Sequence, residues 1–441
     1  MKLENLTFRG GTHMKDYKSL SSGAEIVAMP APEKVLLTVS QHIGAPAKVL
    51  VSKGDHVNLG QKIAEAGGFV SAPVHASVSG EVTGIVEYLT AFGTKVPAIE
   101  ICSDGLDTPG YETVDRSNEE LSAEQILSYI KDAGIVGMGG AGFPTHVKLT
   151  TSEDAPIDTI IINGAECEPY LTCDDLTMRT YPEKVVEGLK LIMKATGAKK
   201  GYIAIENNKP KAIDAIEKAI GSTENIDLAV LKTKYPQGDE KRIISAVTGR
   251  KVATSMLPKD VGCIVDNVGT ACAIVDAVYY GKPLYERVVT VTGHAVNKPS
   301  NVIARLGSTI RDIVEFTGGY ASQPGKILFG GPMMGLAQYS DEVVIDKRNN
   351  GILVLTEREA MPQKVDPCIR CGRCVEVCPS NLEPLFLAMA SKSGDWETAQ
   401  SYYADQCTEC GLCSYICPAK RPLTELIRFA KKNVIAMKKN K

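Results

Sequence analysis

From Ser122 onward the chain alternates segments with apolar residues at helical spacing and short continuous apolar runs. Ala123–Asp132 reads as a helix, 157–162 as a buried strand and 183–195 as a second helix with Val185, Val186, Leu189, Ile192 and Met193 on its apolar face. A strand over 201–205 and a helix over 211–220 follow. Such alternation predicts an α/β unit at 115–285 with a parallel sheet covered on both faces. Residues 31–103 are rich in β-branched residues, Gly and turn signals and predict a small β domain. In 286–355, strands at 288–292 and 326–329 flank a helix at 309–316, and the turn Gly330-Gly331-Pro332-Met333-Met334-Gly335 carries a Met pair read as packing. Residues 362–430 read as helical at Leu385, Leu387, Ala388 and Ala390, over 396–403 and from Pro422 to Lys432. The first 30 residues are polar without periodicity and are expected to run extended over a neighbouring domain; 431–441 form a Lys-rich tail, read as a solvated helix end or as a contact for anionic lipid or a partner.

At 441 residues the chain exceeds one ordinary core, and three or four domains are expected. A net charge of -3 excludes a basic nucleic-acid surface on the scale of the whole chain. The longest apolar stretches, such as Ala271 to Tyr280, are too short to span a bilayer. No basic-then-apolar leader opens the sequence, so a chain retained in the cytoplasm is expected. In that reducing setting, eight of the 13 cysteines cluster near one end, which suits metal ligation better than a disulfide framework.

Those eight form Cys368-x-x-Cys371-x-x-Cys374-x-x-x-Cys378-Pro379 and Cys407-x-x-Cys410-x-x-Cys413-x-x-x-Cys417-Pro418. This is the spacing of bacterial ferredoxins, where three thiolates wrap one face of a [4Fe–4S] cube and the fourth comes from the other run. Cys368, Cys371, Cys374 and Cys417 are therefore assigned to one cluster, and Cys407, Cys410, Cys413 and Cys378 to the other. Two zinc sites are the competing reading, because paired CxxC also binds zinc. A third cysteine at the same step, followed by Cys-Pro and occurring twice, favours iron.

In the α/β unit lies Gly137-Met138-Gly139-Gly140-Ala141-Gly142-Phe143-Pro144-Thr145. Glycines let backbone N–H groups approach an anion, and Pro144 suits the start of a helix over 145–149. The match to GxGxxG is formal, with Glu166 near the position of a ribose-binding acid. From the residues alone, a nucleotide or flavin site and a tight structural turn stand equal. The six histidines show no ligand spacing. Cys102, Cys173, Cys263 and Cys272 read as small core residues, and Cys167 alone falls in a site segment.

Gly139 to Thr145 with Lys148, and Asn163-Gly164-Ala165-Glu166-Cys167-Glu168-Pro169, resemble the flavin-bearing, NADH-oxidising subunit of respiratory complex I. Gly238-Asp239-Glu240 and Asn267-Val268-Gly269-Thr270 are similar to its other site segments. Residues 31–103 resemble a lipoyl-type barrel-sandwich, and 286–340 a soluble-ligand-binding β-grasp module. With Tyr235-Pro236-Gln237-Gly238 and the double cluster, the whole order resembles the C-subunit family of Rnf complexes, membrane-bound ferredoxin:NAD oxidoreductases that move Na⁺ or H⁺. The resemblance implies a multidomain α/β protein: a lipoyl-like barrel-sandwich, a Rossmann-like flavin and NADH domain, a β-grasp module and a helical two-cluster ferredoxin domain. It implies FMN and NAD(H) beside the two clusters. Gly137, Gly139, Gly140 and Gly142 would shape the cofactor loop, and Phe143 would flank a ring. Lys148 would face the FMN phosphate or a ring oxygen, and Asn163 the flavin's polar atoms. Glu166 and Glu168 would hydrogen-bond the flavin or the nicotinamide nucleotide, with Glu240, Asn267 and Thr270 completing the site. The complex I relatives carry an acid where Ala165 stands here, which removes one expected flavin contact.

The barrel-sandwich tip near Ala66 to Phe69 has no Lys, so swinging-arm carriage is not expected there. The resulting expectation is an NAD(H)-reactive peripheral subunit at the cytoplasmic face of the membrane. Its partners would be membrane subunits and a ferredoxin-like subunit. FMN would exchange hydride with NAD(H) and pass single electrons to the clusters. Two alternatives stay open: a wiring subunit that holds clusters only, and the NADH-oxidising component of a soluble hydrogenase or ferredoxin reductase.

Overall fold

The computed structural model describes residues 1–439 apart from 152–154 and 254–255. At its centre is a five-stranded, all-parallel sheet in the order Lys2–Leu6, Ile226–Leu231, Lys200–Glu206, Thr159–Gly164, Cys263–Asn267. The apolar runs that predict strands sit here because both faces are covered. Pro182–Thr196, Pro210–Ile220 and Val268–Tyr280 are among the covering helices, and Ile160, Ile162, Ile203, Leu189 and Ile274 share their core. The strand order sets the site. From Thr159–Gly164 the chain crosses to Lys200–Glu206 on one side and later returns as Cys263–Asn267 on the other. The strand order therefore reverses at the carboxyl ends of Thr159–Gly164 and Cys263–Asn267, the position where α/β sheets bind ligands.

The barrel-sandwich combines a four-stranded antiparallel sheet, containing Lys34–Thr38, Gly80–Leu89 and Lys95–Ser103, with a three-stranded one. The third domain is a six-stranded mixed sheet packed on the helix Ile310–Phe316. The cluster domain is helical, with Pro384–Ser393, Trp396–Ser401 and Leu423–Lys439 around a core of Leu387, Ala399, Ile427 and Val434. Cys102, read as a core residue, is instead exposed on Lys95–Ser103, because its position in the two-residue alternation faces outward.

The N-terminal arm ties the domains together. Lys2–Leu6 is an edge strand of the central parallel sheet, and Ile26–Ala28 pairs with Ser300–Arg305 of the third domain. Between them, Gly11 N–H donates to the Val377 carbonyl of the cluster domain at 3.0 Å. Tyr17 stacks on Tyr170, with centroids 4.5 Å apart and planes 6° from parallel. The described part of the basic tail is the end of Leu423–Lys439, and two of its lysines turn back toward the second cysteine run: Lys431 pairs with Glu409 at 3.0 Å and Lys438 with Asp405, just before the run, at 2.8 Å. A further tie is Lys347, fully buried, whose Nζ donates to the carbonyls of Pro73 (2.8 Å) and Gly134 (2.7 Å) in two other domains.

Candidate flavin crevice and iron–sulfur loops

The glycine segment is a closed loop preceded by a helix, not by a sheet strand. Gly137 N–H donates to the Phe143 carbonyl at 2.8 Å, and Gly142 N–H to the Gly137 carbonyl at 3.1 Å. The formal GxGxxG is thus not a strand–turn–helix fingerprint, and the helix Thr145–Leu149 spends its first N–H on the Ile135 carbonyl at 3.1 Å. The loop hangs over the carboxyl end of the sheet. Met138 N–H donates to Thr270 Oγ1 at 2.9 Å, and Gly139 lies against Asn267. Gly139 and Gly140 are exposed, Phe143 is half-buried, and a Cβ on Gly140 would touch nothing. Bare backbone therefore faces open space.

Asn163 and Asn267 are register partners at the ends of neighbouring strands. Asn163 Nδ2 donates to the Gly238 carbonyl at 2.9 Å, and its Oδ1 accepts from Ala165 N–H at 3.1 Å. Asn267 caps Val268–Tyr280 through Gly269 N–H at 2.8 Å and donates to Asp174 Oδ2 at 2.7 Å. Lys148 Nζ lies 3.2 Å from Glu240 and 3.4 Å from Asp266 and also donates to the Val265 carbonyl. Burial lowers its pKa, but the two carboxylates outweigh that and leave it raised. Asp266 is almost fully buried with no other polar partner among the described residues, and burial holds its carboxyl above the usual range.

Glu166 has a left-handed backbone, φ 44°. Its Oε1 accepts from Asp174 N–H at 2.7 Å, and its Oε2 lies 3.6 Å from Lys18, so it closes the start of the helix Cys173–Thr180. Burial, then the charge of Glu166, pushes Asp174 up to about 7. Glu168 points the other way. Its carboxylate accepts from Met333 N–H (3.1 Å), Met334 N–H (2.8 Å) and the Tyr235 hydroxyl (3.4 Å). Burial pushes it up to about 7 against the pull of those donors and of Lys18.

The structure thus brings Gly139, Lys148, Asn163, Glu240, Asn267 and Thr270 to the carboxyl ends of these two strands, while Glu166 and Glu168 are turned to protein partners. Lys18 and Lys209 were not legible as site residues. Lys18 Nζ reaches the carbonyls of Glu168 and Leu171 at 3.1 and 2.5 Å, and the buried Lys209 reaches that of Ala165 at 2.6 Å. They hold the 165–171 loop from distant parts of the chain, and only a buried-lysine signal could have found them.

In the cluster domain Cys378, Cys407, Cys410 and Cys413 line one small cavity. Cys374 lies within electrostatic reach of Cys417 and Cys371. Backbone N–H groups of Arg370, Glu409 and Leu382 already point at the sulfurs of Cys368, Cys407 and Cys378 at 3.3 to 3.4 Å. Backbone N–H groups aimed at the sulfurs in this way suit a ligand-bearing loop. The donor set fits two clusters with exchanged fourth ligands.

Family models match in the same order: a RnfC barrel sandwich hybrid domain at 6–106, a Nuo51 FMN-binding domain at 130–276, a SLBB domain at 288–337 and a 4Fe-4S dicluster domain at 360–428. The chain is 46% identical to the C subunit of the Na(+)-translocating ferredoxin:NAD(+) oxidoreductase complex of Acetobacterium woodii, covering 100% of this chain and 99% of that one. The chain belongs to the C-subunit family of ion-translocating ferredoxin:NAD(+) oxidoreductase complexes. It is also 46% identical to the C subunit of the proton-translocating complex of Clostridium ljungdahlii, over 96% of this chain and 93% of that one. With the C subunit of the ion-translocating oxidoreductase complex of Rhodobacter capsulatus it shares 43% identity, over 97% of this chain and 83% of that one. As a member of that family the chain is an oxidoreductase component with an FMN-binding domain and a dicluster domain. No helix among the described residues is long and apolar enough to cross a membrane.

Proposed function

We propose that this chain is the NAD(H)-reactive subunit of its complex, with FMN seated in the crevice between the ends of Thr159–Gly164 and Cys263–Asn267. FMN supplies the step from a two-electron hydride donor to one-electron iron–sulfur acceptors. The chain's own residues position it: exposed glycine backbone at Gly139 and Gly140 admits close approach, and Lys148 offers the cation for a phosphate or ring oxygen. Asn163 and Asn267 fix the crevice floor, and Thr270 fixes the loop through Met138. Glu240 and Asp266 hold Lys148 in place. Cys407, Cys410, Cys413 and Cys378 hold the cluster nearer the flavin domain, and Cys368, Cys371, Cys374 and Cys417 the farther one.

The observation that carries this reading is the cluster of Cys167, Tyr235, Met333, Cys410 and Leu412, which packs the loop after Asn163 onto the second cysteine run. Attachment is proposed at the cytoplasmic face, through membrane subunits and a ferredoxin-like subunit of the same complex. The test is FMN binding and NADH:ferricyanide activity of the reconstituted full chain. Flavin uptake with NADH-dependent bleaching is expected; iron-loaded protein that takes up no flavin would leave only the wiring role.

A further inference from the structure

Arg287 lies near the start of Glu286–Thr292, a strand of the third domain, yet its buried guanidinium reaches the glycine loop of the flavin domain. Its Nη1 donates to the Lys347 carbonyl within its own domain, and its Nη2 donates to the Met138 carbonyl at 3.1 Å. Two donors held in one plane and aimed at separate carbonyls suit a guanidinium and not an ammonium. The acids that face Arg287 are engaged elsewhere: Asp174 accepts from Asn267, and Asp346 pairs with Arg348. Among the described residues its direct partners are backbone carbonyls.

Met138 is held from both sides, because its N–H donates to Thr270 Oγ1 at 2.9 Å while its carbonyl accepts from Arg287. In a planar trans peptide the carbonyl and the following N–H point in opposite directions. The Met138–Gly139 bond is trans, so a carbonyl fixed on Arg287 turns the Gly139 N–H the other way. No protein acceptor among the described residues takes that N–H, and Gly139 is exposed beside Asn267 at the strand ends. A cation at the carbonyl end polarises the peptide and strengthens its donor. Without that hold, glycine at 139 lets the peptide turn over. A tie between domains accounts for the bond to Met138 but not for an oriented donor left unclaimed. Resting on the flavin site proposed above, we infer that Arg287 is a positioning residue of that site. From the third domain it fixes the Met138–Gly139 peptide so that Gly139 N–H donates to an acceptor oxygen of the flavin nucleotide, on its ring or its phosphate.

The test is fluorescence titration of FMN into the iron-loaded full chain, with the midpoint potential of the bound flavin measured beside it. Arg287→Met is expected to bind FMN about ten-fold more weakly, the loss of one charge-assisted hydrogen bond in the loop. Arg287→Lys keeps the charge and one donor and is expected to recover most of that, to within about three-fold of native. A ring contact also moves the potential of Arg287→Met to more negative values, because the reduced ring carries the more negative charge. A phosphate contact leaves the potential in place. Should Arg287→Met fail to fold, Arg287→Gln, which keeps a donor without the charge, takes its place against Arg287→Lys, with weaker FMN binding than the lysine variant expected. Native FMN affinity in the folded uncharged variant overturns the proposal, and so does equal weakening by the charged and uncharged replacements, which would make Arg287 a packing residue. A native chain that takes up no FMN would fault the proposed function instead. The peptide is then judged by a crystal structure of the unloaded uncharged variant: a turned Met138–Gly139 peptide is expected, and an unchanged one overturns the proposal.

Discussion

Met333 and Glu168, 165 residues apart in the chain, meet through a backbone N–H donated to Glu168 Oε2 at 3.1 Å, and the Met333 carbonyl rests on Gly411 of the second cysteine run. A turn of the third domain is thereby clamped between the flavin-domain loop and a cluster loop. In sequence the Met pair reads as packing. Met333 is packing, placed where two redox units join.

Gly411 and Gly372 provide a matched comparison. Both adopt left-handed backbones, φ 81° and 77°, at equivalent positions of their runs. A Cβ on Gly372 would touch nothing, whereas one on Gly411 would lie 2.9 Å from the Met333 carbonyl. Gly372→Ala is expected to cost the left-handed strain alone, about 1–2 kcal/mol. Gly411→Ala should cost more and slow NADH-driven cluster reduction. Thermal melts and stopped-flow absorbance check both.

Lys148 neutralises a nearly fully buried Asp266. Lys148→Met strands that carboxylate and is expected to destabilise the domain by about 3–5 kcal/mol. Lys148→Met/Asp266→Asn should recover most of the stability yet still bind FMN weakly. Denaturant melts and flavin fluorescence titration separate the two effects.

Glu168 gives a pH signature. Its carboxyl in the fold is raised to about 7, above the value of the unfolded chain, so between those values the folded state holds the proton and the unfolded state has lost it. Stability from this group therefore falls as pH rises through the window from about 4.3, the unfolded value, to 7. Glu168→Gln carries no such titration, so its melting temperature should vary less with pH there. Melts of both proteins across that range test it.

The exchanged ligands can be read by iron counting combined with electron paramagnetic resonance, which tells which cluster survives. Cys378→Ser should disturb the cluster beside Met333, and Cys417→Ser the exposed one, that of Cys371, each leaving about half the iron. Loss of the exposed cluster from Cys378→Ser and of the one beside Met333 from Cys417→Ser, in folded protein, would contradict the exchange.

Much of the architecture was legible because local signals agree with their surroundings. The helix Ala123–Asp132 is bounded by a capping box between Ser122 and Gln125, and the parallel strands read as apolar runs because both their faces are covered. The cysteine spacing carried its own chemistry. What was not legible depends on long-range partners. Glu166 turns from the crevice because Lys18 and the start of Cys173–Thr180 claim it, and no local pattern connects residues 18 and 166. Asp266 belongs to no motif in the sequence, and only the fold sets Lys148 beside it.

The most direct measurement follows anaerobic addition of NADH to full chain loaded with FMN and iron, recording flavin absorbance and cluster electron paramagnetic resonance together. The flavin should bleach and reduced-cluster signals should appear in the same protein without any mediator. Flavin that bleaches while both clusters stay oxidised, or cysteine runs that hold zinc, would contradict the proposed route from crevice to clusters.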